Sequence, residues 1–112
     1  MEKSKIYISG NTGGALDHLT RIKIESATRE LRSRGYIVRN AIEICTDIDP
    51  EDKAGQMKRR AAEITVCDKL LMLDDWYMST EANVEYTICK LLQIPSEIFE
   101  NFINRLNLKP IE

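Results

Sequence analysis

A carboxylate on the apolar face of a predicted helix is the residue of this sequence best placed to do chemistry. A helix is predicted over residues 79–92, where Glu85 shares a face with Ile88, Cys89 and Leu92. That face should pack on a sheet, and burial of a carboxylate costs on the order of several kcal/mol unless a partner compensates it. Proteins usually accept this cost for a reason. The alternative is that Glu85 lies at the helix rim and reaches water.

The start of the same helix is a second candidate for ligand binding. Ser79 is a plausible N-cap, and the free backbone N–H groups that follow a cap attract anions. A plain structural cap is the alternative. Glu81 complicates anion binding, because a carboxylate in the first turn already satisfies the helix dipole. It also lies four residues before Glu85, so two ionised carboxylates would repel each other mildly.

A glycine-rich loop follows the first predicted strand. Gly10, Gly13 and Gly14 would let the backbone approach a ligand closely, although a tight turn explains them equally well. The string lacks the Lys-Ser/Thr ending of a Walker loop and the spacing of a dinucleotide fingerprint.

Aromatic residues stand near both predicted loops. Tyr7 alternates with Ile6 and Ile8 on the first strand, so its ring is either core or carries a hydroxyl that faces the site. Trp76 and Tyr77 could stack on a base or cap the edge of the sheet.

Strands that alternate with helices must position these residues. Strands are predicted at residues 5–9, 36–39 and 68–73, the last apolar enough to be buried on both faces. Helical spacing predicts helices at residues 15–34, with Gly35 as the stop, 51–66 and 79–92, and an amphipathic helix in the segment 96–106. Residues 40–50 and 74–78 are predicted as loops.

This pattern predicts an α/β fold. We expect a three-layer sandwich with a mostly parallel Rossmann- or flavodoxin-like sheet of four to five strands and helices on both faces. Residues 1–112 should form one domain, with residues 96–112 as a C-terminal amphipathic helix and tail. Ligands bind such sheets beyond the carboxyl ends of the strands, near a switch in strand order. That rule selects the loops at residues 10–14 and 74–79.

Composition and charge exclude several classes of function. A net charge of −2 argues against binding a nucleic acid polymer, and no apolar run approaches the ~18 residues of a membrane span. The basic run Lys58, Arg59 and Arg60 is interpreted as a solvated helix face. The sequence has three isolated cysteines and a single histidine, which argues against a metal site or a disulfide framework. The histidine, His18, is interpreted as a helix-surface residue. We expect no cofactor, no metal and no membrane contact, and a cytoplasmic location because no signal peptide is visible.

Several strings of this sequence, in their order and spacing, resemble the nucleoside 2-deoxyribosyltransferase superfamily, which includes deoxynucleoside 5′-monophosphate N-glycosidases. The likeness spans about residues 4 to 95 and is closest to a family of small uncharacterised domains related to those enzymes. The strings are Lys5-Ile6-Tyr7-Ile8-Ser9-Gly10, residues 35–40 with Glu43-Ile44, Cys67-Asp68 through Trp76 to Ser79, and Ala82 with Glu85.

The resemblance implies the mechanism of a retaining glycosidase. The glutamate that matches Glu85 attacks the anomeric carbon of a deoxyribose and displaces the base, and water or another base then takes the sugar. The tyrosine that matches Tyr7 hydrogen-bonds this glutamate, and the serine that matches Ser79 helps to hold a 5′-phosphate. Relatives commonly form homo-oligomers, so a homo-oligomer is expected here.

The sequence also departs from the superfamily pattern. An aspartate that assists the leaving base in relatives is replaced by Arg60, and its loss is expected to slow base release by ~10²–10⁴-fold. Two carboxylates, Glu81 and Asp75, stand where relatives have glycines and would add negative charge near a phosphate. Relatives also have Pro-Met at Asn11-Thr12 and Asn-Pro at Asn40-Ala41.

Three functions remain open from the sequence. The leading hypothesis is a nucleoside or nucleotide N-glycosidase or 2-deoxyribosyltransferase that acts through a covalent glycosyl-glutamate, with Glu85 and Tyr7 catalytic. The alternatives are a non-catalytic nucleotide-binding or regulatory module that lacks the acid, and a scaffold whose apolar tail helix is its contact surface. The predicted substrate-binding residues are Gly10, Asn11, Gly13, Gly14, Trp76, Ser79 and Ala82.

Overall fold

The computed structural model describes residues 4–11 and 18–108. Its strands are β1 (Lys5–Ser9), β2 (Ile37–Asn40), β3 (Lys69–Met72) and β4 (Ser96–Ile98). Its helices are α1 (His18–Ser33), α2 (Ala41–Ile44), α3 (Lys53–Ile64), α4 (Thr80–Leu91) and α5 (Phe99–Asn107), with a 3₁₀ turn at Trp76–Met78 before α4. None of the helices within these ranges is both long and apolar enough to cross a membrane.

The four strands form one parallel sheet in the order β2-β1-β3-β4. This is the strand order of flavodoxin-like sheets, so the predicted α/β fold is confirmed. The order reverses between β1 and β3, and the pairing of Ser9 with Met72 brings the carboxyl ends of these strands to the same level. The switch point of the sheet therefore lies where the sequence predicts the site.

Two apolar clusters, one on each face of the sheet, complete the three layers. The first cluster joins β1, β2 and β3 to α1 and α5, through Ile6, Ile8, Ile24, Ala27, Leu31, Val38, Leu71, Leu73 and Phe102. The second cluster joins the opposite face of β1 and β3 to α2, α3 and α4, through Tyr7, Ile44, Ile64, Cys67, Leu70, Met72 and Cys89. Alternate residues of β1 enter different clusters because side chains alternate along a strand.

Local signals fix the helix ends that frame the site. Gly35 follows α1 with a φ of 92°, a left-handed conformation that glycine adopts without strain, as the predicted stop requires. The Asp52 side chain accepts a hydrogen bond from the backbone N–H of Gly55 and caps α3. Ser79 caps α4 in the same way.

The structure corrects three predictions about elements. Residues 96–98 form β4 rather than the first turn of a helix, because their backbone pairs with β3. Part of the predicted loop 40–50 is the short helix α2, which Asn40 caps through its side chain. The predicted loop 74–78 contains the 3₁₀ turn. The first residues of the predicted helix 15–34, residues 15–17, lie outside the described residues.

The C-terminal helix also differs from its interpretation as a contact surface. Phe102 is buried on the first cluster, and Phe99, Ile103 and Leu106 pack against the same cluster. The apolar side of α5 therefore covers the protein's own sheet, which is what an amphipathic helix beside an open sheet is expected to do.

Candidate functional site

The candidate site begins on β1, whose last residues direct two hydroxyl groups to one face of the sheet. Tyr7 and Ser9 are separated by two positions, so both side chains point toward α3 and α4. Tyr7 is completely buried and Ser9 is buried as well. Of the two interpretations of Tyr7, the structure therefore shows both at once: the ring is core and its hydroxyl reaches the site.

Helix α4 brings the carboxylate to the same place. Glu85 has no exposed surface, and Cys89, one turn later, is equally buried. The predicted burial of Glu85 is confirmed, and its alternative placement at a solvated rim is wrong. Leu92, predicted on the same face, is the C-cap of α4 and is exposed.

Among the described residues, three donors converge on the Glu85 carboxylate. The Tyr7 hydroxyl donates to Oε2 at 2.6 Å, and the Ser9 hydroxyl donates to Oε1 at 2.6 Å. The Arg60 Nε donates to Oε2 at 2.8 Å. Both carboxylate oxygens therefore accept hydrogen bonds, which is the pattern of an ionised carboxylate. The three donors come from β1 and α3, so the site is built by long-range contacts.

Charge and burial set the protonation of the carboxylate's neighbours. Burial raises the pKa of Tyr7 well above its ordinary value, and the Glu85 charge raises it further, so this phenol stays neutral. Burial alone would lower the pKa of Arg60, but the Glu85 carboxylate outweighs that effect and raises it. The result is a neutral hydroxyl and a permanent cation beside one buried anion.

The ion pair of Arg60 and Glu85 lies inside the protein. Only 4% of the Arg60 side chain and none of the Glu85 side chain is exposed. The interpretation of Lys58, Arg59 and Arg60 as a solvated face is thus wrong for Arg60 and right for its two exposed neighbours. The Arg60 side chain points instead to α4, where it contacts Glu85.

The loops that follow β1 and β3 are joined to each other and to α1 by polar contacts. The backbone N–H of Asn11 donates to the Asp75 carboxylate at 3.2 Å, and Lys23 on α1 forms ion pairs with Asp74 and Asp75. A Cβ at Gly10 would lie 3.0 Å from the Leu73 side chain, so the close approach of the two loops favours glycine there.

The beginning of α4 is fixed by Ser79, as predicted. The Ser79 hydroxyl accepts a hydrogen bond from the backbone N–H of Ala82 at 3.1 Å, and both residues are buried. The backbone N–H of Ala82, a residue predicted to bind substrate, is therefore engaged by the cap. Glu81, in the first turn, is half-buried beside it.

The predicted aromatic contacts divide between packing and exposure. Trp76 is half-buried and packs on Tyr86 of α4, with ring centroids 5.1 Å apart, whereas Tyr77 is exposed. The Trp76 side chain therefore packs partly against the second cluster, and its stacking on a base stays a prediction. Two further predicted residues, Gly13 and Gly14, lie outside the described residues.

The sequence interpretation missed two of the donors to Glu85. Ser9 could have been found, because it lies two positions after Tyr7 on a predicted strand and must face the same side. Arg60 was interpreted as part of a solvated run, although it lies three residues after Met57 and four before Ile64, and although the resemblance matches it to a catalytic aspartate of relatives. Within residues 4–11 and 18–108, no cluster of three or more His, Cys, Asp or Glu residues could hold a metal ion.

Comparison with known proteins gives one family. A family model described as "Domain of unknown function (DUF4406)" matches residues 4–96 of the 112. No curated protein and no solved structure matches the chain. The matched region includes β1, α3 and α4 and therefore every residue that contacts the Glu85 carboxylate in the part of the chain that the structure describes.

Proposed function

Because the chain belongs to the DUF4406 family, whose description assigns no activity, we propose its function from the geometry of the Glu85 site. The proposal is an N-glycosidase or 2-deoxyribosyltransferase that acts on a nucleoside or nucleotide through a covalent glycosyl-Glu85 intermediate. The observation that carries it is a fully buried carboxylate at the switch point of the sheet, oriented by Tyr7, Ser9 and Arg60. The resemblance of the sequence to the nucleoside 2-deoxyribosyltransferase superfamily supports the same chemistry.

The reaction has two displacements at the anomeric carbon. In the first, a Glu85 oxygen forms a bond to this carbon while the bond to the base nitrogen breaks, and the electron pair leaves with the base. In the second, water or another base attacks the same carbon and the Glu85 carboxylate leaves. When water attacks, its hydroxyl stays on the sugar and its proton passes to the released base or to solvent.

The neighbours of Glu85 have defined parts in this scheme. Tyr7 and Arg60 hold Oε2, which fixes the plane of the carboxylate and favours its return to the anion in the second step. Ser9 orients Oε1. Residues of the loops and of the α4 start then bind the sugar, the base or a phosphate: Gly10, Asn11, Gly13, Gly14, Trp76, Ser79 and Ala82.

Base release is the direct test. The protein is incubated with a panel of 2′-deoxynucleosides and their 5′-monophosphates, and free base is measured by chromatography while the mass of the intact protein is monitored for a bound sugar. We expect release with at least one substrate and its loss in Glu85→Gln. The matched control is Glu30→Gln, an exposed carboxylate on α1 that pairs with Arg34 one turn later. Absence of release with every substrate would contradict the proposal.

A second candidate is a nucleotide-binding or regulatory module without catalysis. The observation that favours it is the buried ion pair itself, because Arg60 already neutralises Glu85 and no exposed face of the carboxylate remains. This module would be stabilised by a nucleoside or nucleotide without turnover. A rise in the unfolding temperature with ligand, together with no free base, would favour it over the enzyme.

The remaining parts of the proposal concern the protein's partners. We propose a small-molecule nucleoside or nucleotide as ligand, no cofactor, and a homo-oligomer as the working assembly. We also propose a cytoplasmic location, where nucleosides and their phosphates are metabolised. The oligomeric state is measured by light scattering over a range of concentrations.

A further inference from the structure

A cleft lies between helices α1 and α5, on the opposite face of the sheet from Glu85. Both helices pack on the first apolar cluster, whereas the contacts of Glu85 lie on the face of the second cluster. The cleft has a volume of about 320 Å³ and reaches the carboxyl end of β3, where Leu73 and Asp74 line it. Sites for small molecules have volumes of ~300–1,000 Å³ and occur preferentially at this edge of parallel sheets. The cleft is therefore a second candidate ligand site, which the proposed reaction does not use.

Short side chains on α1 leave this space open. Ile22, Ser26 and Glu30 follow one another at intervals of four residues and form the side of α1 that borders the cleft. Ser26, in the middle of this row, is small, and Ala27, which also lines the cleft, is small and buried. A larger side chain at Ser26 would occupy part of the gap between the two helices.

The inner wall of the cleft is apolar. Ala27 and Leu73 are buried, and Phe99 and Ile103, one turn apart on α5, are half-buried. Ile22 borders the cleft from α1 and is 46% exposed. The half-buried side chains keep apolar surface in contact with water, so a hydrocarbon group in the cleft would bury that surface favourably.

The charged residues that line the cleft are mostly acidic. Glu30, Asp74 and Glu100 contribute three carboxylates and Lys23 contributes one ammonium group, so their net charge is −2. Two of the carboxylates are already paired, since Lys23 Nζ lies 3.3 Å from Asp74 Oδ1 and Arg34 Nε lies 3.0 Å from Glu30 Oε2. Glu100 is exposed in the first turn of α5 and has no ion-pair partner within the described residues. The cleft therefore offers an apolar wall beside an unpaired negative charge.

We propose that this cleft binds a small organic amine, with its ammonium group beside Glu100 and its hydrocarbon part against Phe99 and Ile103. Charge complementarity favours a cation, because the net negative charge of the cleft repels a carboxylate or a phosphate. The apolar wall favours a single ammonium group on an apolar body over a hydrophilic cation. The occupant is a free small molecule, because the volume of the cleft is near the lower limit for ligand sites.

The test compares an amine with its neutral analogue by NMR titration of the isotope-labelled protein. The two probes are phenethylamine and phenethyl alcohol, which share one hydrocarbon body. We expect the backbone amide signals of Ala27, Phe99 and Ile103 to shift with the amine, with a Kd on the order of 1 mM for a ligand of this size. The alcohol should bind about two- to fivefold more weakly, which is the factor that a solvent-exposed ion pair contributes.

Two variants separate the charge from the volume of the cleft. Glu100→Gln should remove the preference for the amine and leave binding of the alcohol unchanged. Its control is Glu25→Gln, which changes the net charge equally but lies outside the cleft, where Glu25 pairs with Arg21 on α1. Ser26→Leu should weaken binding of both probes, because the larger side chain fills the space that they share.

Equal affinity of the two probes for wild type would overturn the inference, as would a preference for the amine that survives Glu100→Gln. Absence of shifts at the cleft at about ten times the expected Kd, where a site is about nine-tenths occupied, would overturn it as well. Undiminished binding to Ser26→Leu would show that the probes bind elsewhere. None of these measurements uses base release, so their failure is distinct from failure of the proposed function.

Discussion

The burial of Glu85 is possible because hydrogen bonds within the protein replace those that its carboxylate would make with water. Tyr7, Ser9 and Arg60 donate to it, and a hydrogen bond to a charged group contributes about 1.5–3 kcal/mol. Desolvation of Glu85 and Arg60 costs on the order of several kcal/mol for each ion, so the cluster contributes little net stability. An apolar pair of similar volume would serve the fold equally well. The arrangement is therefore better explained by a function of the carboxylate than by stability.

The Tyr7 hydroxyl can be removed without changing the shape of the core. Tyr7→Phe loses the 2.6 Å hydrogen bond to Glu85, and we expect the free energy of unfolding in urea to fall by about 1.5–3 kcal/mol. Tyr77→Phe is the control, because Tyr77 is 66% exposed and the change should be close to zero. Equal unfolding midpoints for Tyr7→Phe and wild type would show that this hydrogen bond does not stabilise the protein.

The raised pKa of Tyr7 predicts how stability changes at alkaline pH. Burial, and then the Glu85 charge, raise the pKa in the folded state above the ordinary value of 10.0. The folded state thus holds this proton more tightly than the unfolded state, and the contribution is fully present below pH of about 10. It is lost as the pH rises beyond that value. Stability should fall more steeply above pH of about 10 in wild type than in Tyr7→Phe, as measured by urea unfolding at a series of pH values; parallel curves would contradict this.

At the scale of elements, the start of α4 depends on a single side chain. Ser79→Ala removes the acceptor of the Ala82 amide, and loss of such a cap costs about 0.5–2 kcal/mol. We expect lower stability in urea and faster hydrogen exchange of the Ala82 amide. Thr80→Ala is the control, because Thr80 is exposed and follows the cap. Unchanged exchange at Ala82 would show that Ser79 does not hold this end of the helix.

The elements that the sequence predicts are those with a local cause. The apolar run that ends at residue 73 predicts β3, and the helical spacing that ends before Gly35 predicts α1. Both patterns depend only on residues that are close in sequence. Strand β4 has no such signal, because its three residues continue an amphipathic pattern and become a strand only by pairing with β3. The four residues of α2 are likewise too few for periodicity, and the Asn40 cap marks them only once the structure is known.

The residues of the candidate site likewise differ in how clearly the sequence indicates their positions. Periodicity placed Glu85 on a buried face, and alternation along β1 makes Tyr7 and Ser9 neighbours. Arg60 lies three residues after Met57 and four before Ile64, a spacing that places it on the apolar face of α3, whereas the adjacent Arg59 is exposed. The role of Arg60 follows from the packing of α3 against α4, which is a property of the topology.

At the scale of the whole molecule, the two faces of the sheet have different tasks. The face toward α3 and α4 carries the polar cluster around Glu85 beneath the switch point, next to apolar residues of the second cluster. The face toward α1 and α5 carries the first apolar cluster, together with the buried hydrogen bond that Asn40 donates to Thr28. The second face therefore provides the hydrophobic burial that supports an otherwise costly site on the first.

Phe102 is the residue through which this division can be tested. It is buried at 6% exposure, packs edge-on against Tyr36 with ring centroids 5.8 Å apart, and lies beneath the Lys69 ammonium. Phe102→Ala leaves a cavity under α5, so we expect the free energy of unfolding to fall by about 3–5 kcal/mol, a large share of the ~5–15 kcal/mol typical of a domain. Leu108→Ala is the control, because Leu108 is 82% exposed and should change stability little.

The same variant separates packing within the chain from assembly between chains. If α5 serves only to cover the sheet, Phe102→Ala lowers the urea midpoint, while the oligomeric state measured by light scattering below the unfolding transition stays that of wild type. A shift toward smaller species at unchanged stability would instead show that α5 contacts another copy of the chain. The burial of Phe102 favours the first result, because a side chain already covered within its own chain has little surface left to offer a partner.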